Sequence, residues 1–547
     1  MIYKYLIAFL GSFIFLNAWG VKAKPGIVEF GQPDGSVLRV ILHGDENFHY
    51  ATDTEGRLLQ MNGNGYYVYA SSGVTVKSML VESDHSGRKG NAKYRYSTSA
   101  FPTIGNPHSL VVLVEYPDHG FNVADPKEYF EDFLNGENFS RDGATGSCRE
   151  YYTENSKGEF VPTFDLYGPV MLKNNRRYYG GGNEINANKM VVEAVEALDP
   201  YVDFSQYDHN NDGYVDSIYI IYSDKGEADG GPSESVWPYS WELEEEGIFL
   251  EADGVKFNTY GVSNELQSDN QMEGVGTFIH EFGHVLGLPD LYNTDSSSDR
   301  STPNNWSLMD SGSYNNDSRT PCNLSSFERY SLGWLDPEEL VASGEYSLGV
   351  LPETNRAFIM TTEENNDEFF IAEYRMKKGW DSYLPAEGML VWHIDFDQEA
   401  WDWNIVNNNP AHQYVSLVRA DDEHKSNSYA GDPFPGNKNI TEFGFDTTPA
   451  LLSWAGKNLN VLSLSDITDK EERVSFMVTV NEFRGDAGIG DVSSDFKFTV
   501  TGNVLRVSEG TFTVYDLTGR LEGRVSAERP LTLNRGIYIV NGKKIII

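Results

Sequence analysis

In the run His280-Glu281-Phe282-Gly283-His284-Val285-Leu286-Gly287-Leu288-Pro289-Asp290, two histidines stand four residues apart and a glutamate directly follows the first. On a helix that spacing stacks one imidazole a turn above the other, so both can hold a single zinc ion. Glu281 then lies beside the metal, where its carboxylate can take a proton from activated water and pass it to a leaving amine. Gly287 can adopt the left-handed conformation that ends a helix, and Leu288-Pro289 does not continue it, so the chain can double back and offer Asp290 as third ligand. Three protein ligands leave a fourth position open, as a catalytic zinc requires. The plainer alternative is a core helix whose histidines happen to fall four apart. In a chain with only 11 histidines, the flanking Glu, Gly and Asp speak against it.

A second group of oxygen-bearing side chains occupies Asp208-His209-Asn210-Asn211-Asp212-Gly213-Tyr214-Val215-Asp216. Oxygens at alternate positions around a glycine suit a hard cation, and calcium is the expected occupant, held by Asp208, Asn210, Asp212, Tyr214 and Asp216. The pattern departs from an EF-hand, because Tyr219 stands where the bidentate glutamate would be and Asp216 must close the cage. An Asx-rich surface turn is the alternative. The only two cysteines, Cys148 and Cys322, either form a disulfide or remain buried thiols.

These residues need elements to position them. From Glu273 to Leu286 the apolar positions Val275, Phe278, Ile279, Phe282, Val285 and Leu286 recur at helical spacing, so one face of the ligand helix packs inward. A second helix is predicted over Ala187 to Leu198, and Ser109 to Val114 reads as the buried strand that opens the same domain. Residues 24 to about 100 alternate in short runs and form a small β-rich unit, followed by a charged, Ser-rich linker over Ser83–Thr98. Beyond Trp334 strands dominate, among them Phe369–Tyr374 and Met389–Ile394, which predicts a β-sandwich. The last 60 or so residues form a further small β domain, with a hairpin turn at Asn541-Gly542.

At 547 residues with 82 acidic and 42 basic side chains, the chain is too long for one small module. Its net charge of −40 repels nucleic acid, so nucleic acid is not an expected partner. Lys4 precedes a short apolar run ending near Leu16, with small residues after it, which reads as a signal peptide spanning residues 1–23. No later segment is long and apolar enough to cross a membrane. The expected location is outside the cell or at its surface.

Downstream of the zinc motif, Trp306-Ser307-Leu308-Met309-Asp310-Ser311-Gly312-Ser313-Tyr314 sets a methionine in a tight polar turn. The extended zinc motif with this Met-turn resembles the metzincin clan of metallopeptidases, and Asp in third place is similar to the M6 (immune inhibitor A-like) family. Glu150-Tyr151-Tyr152-Thr153-Glu154-Asn155-Ser156 and Gly226-Glu227-Ala228, with Val236-Trp237-Pro238, resemble further signatures of that family. The resemblance implies a secreted endopeptidase made with a propeptide, acting on extracellular proteins or peptides. It also implies that Met309 floors the metal site without ligating. Tyr314 either donates to the developing oxyanion or serves as a packing residue. In a thermolysin-like geometry the third ligand would instead be a later glutamate, for which Glu328 is the candidate, but Gly287 and Asp290 would then have no role.

By the same resemblance the chain is multidomain. An α/β (α+β) metzincin-like catalytic domain spans 99–343, preceded by a β-rich propeptide at 24–98 and followed by a β-sandwich at 344–484. A small C-terminal β domain at 485–547 resembles the sorting domains of Bacteroidetes type IX secretion, which implies that secretion machinery is a partner. Residues 1–147 contain no cysteine to block zinc, and astacin-like zymogens use a propeptide aspartate. Asp45, in His43-Gly44-Asp45-Glu46, is the counterpart here, and an ordinary turn residue is the alternative. Competing functions are a surface adhesin carrying an inert peptidase domain, and zinc-dependent hydrolysis of a non-peptide substrate. An intact Glu281 argues against the adhesin.

Overall fold

The computed structural model describes residues 19–70, 101–480 and 498–546, apart from 47–48, 63–64, 182–185, 296–301, 362–366, 425–427, 457–461 and short stretches of the last segment. The apolar core of the expected signal peptide and the expected 83–98 linker lie outside the described residues. The chain divides into two compact units, residues 1–481 and 482–547.

The first unit is built on a six-stranded sheet made of β1 (Trp19–Gly20), β2 (His108–Glu115), β3 (Thr163–Met171), β4 (Ile218–Lys225), β5 (Tyr239–Glu242) and β6 (Thr259–Leu266). Their order is β1-β5-β6-β4-β2-β3. The four strands from β6 to β3 are parallel, β5 runs antiparallel to β6, and β1 runs antiparallel to β5. Parallel strands are stable only with both faces covered, and the fully buried run Leu110–Val114 meets that condition.

Helices α1 (Pro126–Asn135), α2 (Cys148–Asn155), α3 (Ala187–Leu198) and α4 (Val275–Val285) supply the cover. On one face, Met190, Val191, Ala194 and Val195 of α3 pack on Leu110, Val112, Ile218 and Ile220. On the other, α1, α2 and α4 share a core with Val111, Leu113, Tyr219 and Ile221. Each residue of α4 is buried, so this helix runs through the interior and is not a surface amphipath.

Ahead of the sheet, five short antiparallel strands between Val28 and Tyr69 form a meander around Val40, Ala51 and Leu59. After it come a five-stranded sheet and a three-stranded sheet spanning Glu338 to Val480. Alternation along the strands explains how they stack. Phe370, Ala372 and Val391 face the smaller sheet and meet Leu464, Val474 and Phe476, whereas Ile371, Trp392 and Ile394 face the core that contains α4. The sandwich and the α4 domain therefore share one core. In the second unit, Ile537–Val540 pairs antiparallel with Lys543–Ile546, and the expected turn residues Asn541 and Gly542 lie outside the described residues.

Candidate active site

The ligand helix ends as the sequence requires. Gly287 has φ +97°, and the amides of Gly287 and Leu288 donate to His284 and Gly283 carbonyls at 2.8 and 3.0 Å. The reversal brings Asp290 under the helix. Its Oδ1 lies 3.2 Å from His280 Nε2 and 3.3 Å from His284 Nε2. Two donors each about 2.0–2.1 Å from a tetrahedral zinc would stand about 3.3–3.4 Å apart, so the three side chains fit such an ion. They are the one group of at least three His, Cys, Asp or Glu that converges in this way among the described residues. His280 Nε2 and Asp290 Oδ1 are buried and face each other, as two ligand atoms of one ion would.

Each imidazole is fixed from behind. His280 Nδ1 pairs with the Leu308 carbonyl at 2.9 Å and His284 Nδ1 with that of Leu288 at 2.7 Å, which turns both Nε2 atoms toward Asp290. Burial opposes charge on His280, yet the hydrogen bond and charge of Asp290 hold it up at about 9. Burial likewise works to raise the Asp290 carboxyl, and the two histidines outweigh it, lowering it to about 2. Glu281, fully buried beside them, is pushed well above the usual carboxylate range by that burial.

A residue that sequence reasoning missed, and one it weighed only as a ligand, hold this arrangement. Asn404, from the sandwich region, donates to Asp290 Oδ2 at 2.6 Å and accepts from the Asp290 amide at 2.8 Å. Glu328 is no ligand: it accepts from Ser307 Oγ at 2.7 Å and from the Met309 amide at 3.3 Å, and closes a capping box with Ser325. It therefore shapes the turn that carries Met309. That methionine lies beneath α4 with its sulfur where a side chain on Gly283 would fall, 2.8 Å from the ideal Cβ.

The cleft above these residues is filled by the chain's own N-terminal segment. Strand β1 extends the free edge of β5, with Trp19 opposite Ser240 and Gly20 opposite Tyr239. The segment continues extended across Glu281. The Val21 amide donates to Glu281 Oε1 at 2.9 Å, and the Tyr292 hydroxyl donates to the Gly20 carbonyl. Trp237 Nε1 donates to the Val21 carbonyl at 2.7 Å, and Tyr314 to that of Lys22 at 2.6 Å. The signature around Gly226 lines the same groove, since the Ala228 carbonyl accepts from the Lys24 amide at 2.8 Å. Val21 and Ala23 pack with Ala228, Trp237 and Tyr314.

Tyr314 thus meets a carbonyl two residues along from the Gly20 carbonyl that Tyr292 meets. Asp45 is buried where the five-stranded meander meets the cleft, but its neighbour Glu46 reaches farther. Glu46 Oε2 lies 2.8 Å from where a Gly20 side chain would begin. Burial, reinforced by the charges of Asp45, Asp290 and Glu281, raises its carboxyl well above normal.

In the 208–216 loop the oxygen-bearing side chains meet groups of the loop itself. Asp208 accepts from the amides of Asp212 and Gly213, Asn210 from Asp212, and Asp212 from Tyr214, as in Asx turns. Asp216 instead holds His209 Nδ1 at 2.6 Å. Cys148 and Cys322 are both free and buried, which raises their thiols and leaves them as core residues. The Glu150 signature is structural: Tyr151 and Tyr152 donate to the carbonyls of Cys322 and Ile279 at 2.6 and 2.7 Å, tying α2 to the ligand helix.

Residues 109–336 match the family model described as immune inhibitor A peptidase M6, catalytic domain. The chain is 28% identical over 336 residues to the pre-pro-metalloprotease PrtV of Vibrio cholerae, covering 51% of this chain and 35% of that protein. It is 27% identical over 247 residues to immune inhibitor A of Bacillus thuringiensis subsp. alesti, covering 38% of this chain and 36% of that protein. The chain thus spans about a third of the length of these curated relatives. The segment that folds into the central sheet, the ligand helix and the Met-turn is similar to the catalytic domain of the M6 metallopeptidases.

Proposed function

We propose that this chain is the latent precursor of an exported zinc endopeptidase. The observation that carries the reading is the register of the N-terminal segment. The amide of Val21 meets Glu281 while the carbonyl of Gly20 meets Tyr292, so the Gly20–Val21 bond lies where a scissile bond would lie. His280, His284 and Asp290 would hold the zinc, which when bound supplies a Lewis acid that activates water and polarises the carbonyl. Glu281 takes the proton from water and delivers it to the leaving nitrogen, the atom it already contacts in Val21. Tyr292 donates to the carbonyl oxygen as charge develops there. Edge strand β5 aligns the peptide, and Asn404 keeps Asp290 oriented.

Until residues 1–23 are removed as a signal peptide, the segment itself blocks the cleft, together with the Asp45-Glu46 pair that closes over it. The remaining parts of the proposal are export by a signal peptide and a sorting-type C-terminal unit, and calcium at 208–216, which requires Asp216 to exchange His209 for the ion.

The test uses the full chain, nicked by trypsin in the 83–98 linker with trypsin then blocked. One zinc per chain and casein hydrolysis by the wild type, with none by Glu281→Ala, are expected. Zinc bound without cleavage of any protein substrate would overturn the peptidase reading in favour of a binding protein.

A further inference from the structure

Past Val21 the N-terminal segment carries two lysines, and Lys24 is unlike an ordinary surface lysine. Its side chain is only 17% exposed, and its Nζ lies 3.1 Å from Asp317 Oδ1 and 3.3 Å from Gln267 Oε1. Behind these lie Glu273 and Asp229, both buried. Asp229 Oδ2 accepts from the Ser268 amide at 2.7 Å, but Oδ1 is buried with no hydrogen-bond partner. Glu273 is held by Thr277, Asn264 and Gln267. Burial would depress the Lys24 ammonium, yet the charges of Glu273, Asp317 and Asp229 raise it instead. Without a cation beside it, Asp229 would be a buried carboxylate facing another, an arrangement that is costly unless compensated. Arg319 does not fill that role, since its guanidinium reaches Asp317 on the rim and Gln271.

We infer that Asp229, Glu273, Gln267 and Asp317 form a cation-selective subsite of the cleft, which takes a Lys or Arg side chain three residues beyond the residue whose amide meets Glu281. Lys24 occupies it in the precursor, and a substrate's basic residue occupies it once the N-terminal segment has left. The inference rests on the proposed peptidase function for its substrate half. The position lies on the leaving-group side of the scissile bond, and the preferred substrates are peptides with Lys or Arg as the fourth residue after the cut. Gly226, on the wall of this subsite, has no room for a side chain, because its Cβ would fall 2.6 Å from Asn264 Oδ1. The loop can therefore approach the strand closely enough to present Asp229.

Two measurements test the subsite. In the full chain, hydrogen exchange of the Val21–Lys24 amides reads occupancy without catalysis. Lys24→Met is expected to lose protection at least 10-fold and Lys24→Arg to keep it. Asp317→Asn, a change at an exposed rim residue, should weaken it in the wild type but not in Lys24→Met. In the nicked chain, a peptide library mapped by mass spectrometry is expected to show Lys and Arg enriched at the fourth position after the cut. Asp229→Asn should abolish the enrichment. Lys24→Met exchanging like wild type, or cleavage without enrichment, overturns the subsite. Lost protection in Lys24→Met with no peptide cleaved upholds the subsite as the lysine's own and overturns the peptidase reading alone.

Discussion

At the scale of single residues, the site depends on partners that lie outside the zinc motif. Tyr292 contacts the carbonyl that would carry the developing negative charge. Removing one such donor costs about 10²–10³-fold in kcat. Tyr292→Phe is expected to lose that much with zinc content unchanged, whereas Tyr314→Phe should chiefly raise KM, because its hydroxyl meets a carbonyl two residues away. Steady-state kinetics beside metal analysis separates the two. Asn404→Ala should lower zinc affinity by about 10–100-fold, the usual cost of losing a ligand's outer partner, as measured by competition with a chelator. The His280, Glu281, His284 and Asp290 constellation was legible because its spacing follows from helix geometry and one glycine. Tyr292 and Asn404 were not, since each is defined by a contact that only folding creates. For Asn404 the contact crosses 114 positions of sequence.

At the scale of elements, α4 was readable by its period, and the helix runs from Val275 to Val285 within the expected Glu273–Leu286 span. What periodicity could not show is that its polar side is also buried, under the turn that carries Met309. Close packing there fixes the glycines. A methyl group on Gly276 would fall 2.0 Å from the backbone carbonyl of Ser313, whereas one on Gly283 would meet the Met309 side chain. Overpacking costs about 1–3 kcal/mol, and more where backbone must move. Urea denaturation should therefore rank Gly276→Ala as less stable than Gly283→Ala, with both below the wild type. The 208–216 loop shows the converse limit. Its acidic spacing matched a cation cage, but the same side chains also satisfy their own turn amides, and sequence alone does not separate the two uses.

At the scale of the whole molecule, strand alternation predicted the sandwich but not its second face. Ile371, Trp392 and Ile394 belong to the core that also holds Phe278 and Phe282 of the ligand helix. Truncation after residue 481 is expected to leave a soluble, zinc-binding unit, since it follows the division between the two compact units. Truncation after 343 should give insoluble protein that binds no zinc, because it exposes that core and deletes Asn404. Expression with solubility and metal assays decides between these outcomes.

The bond from Asn404 to Asp290 also has a consequence in time. Synthesis delivers the two histidines, the base and the third ligand well before it delivers the residue that holds that ligand in place. A nascent chain halted between the two positions has every reacting group yet an unsupported aspartate, so it should capture metal poorly. The order of translation thus leaves the candidate metal site incomplete until residue 404 has emerged.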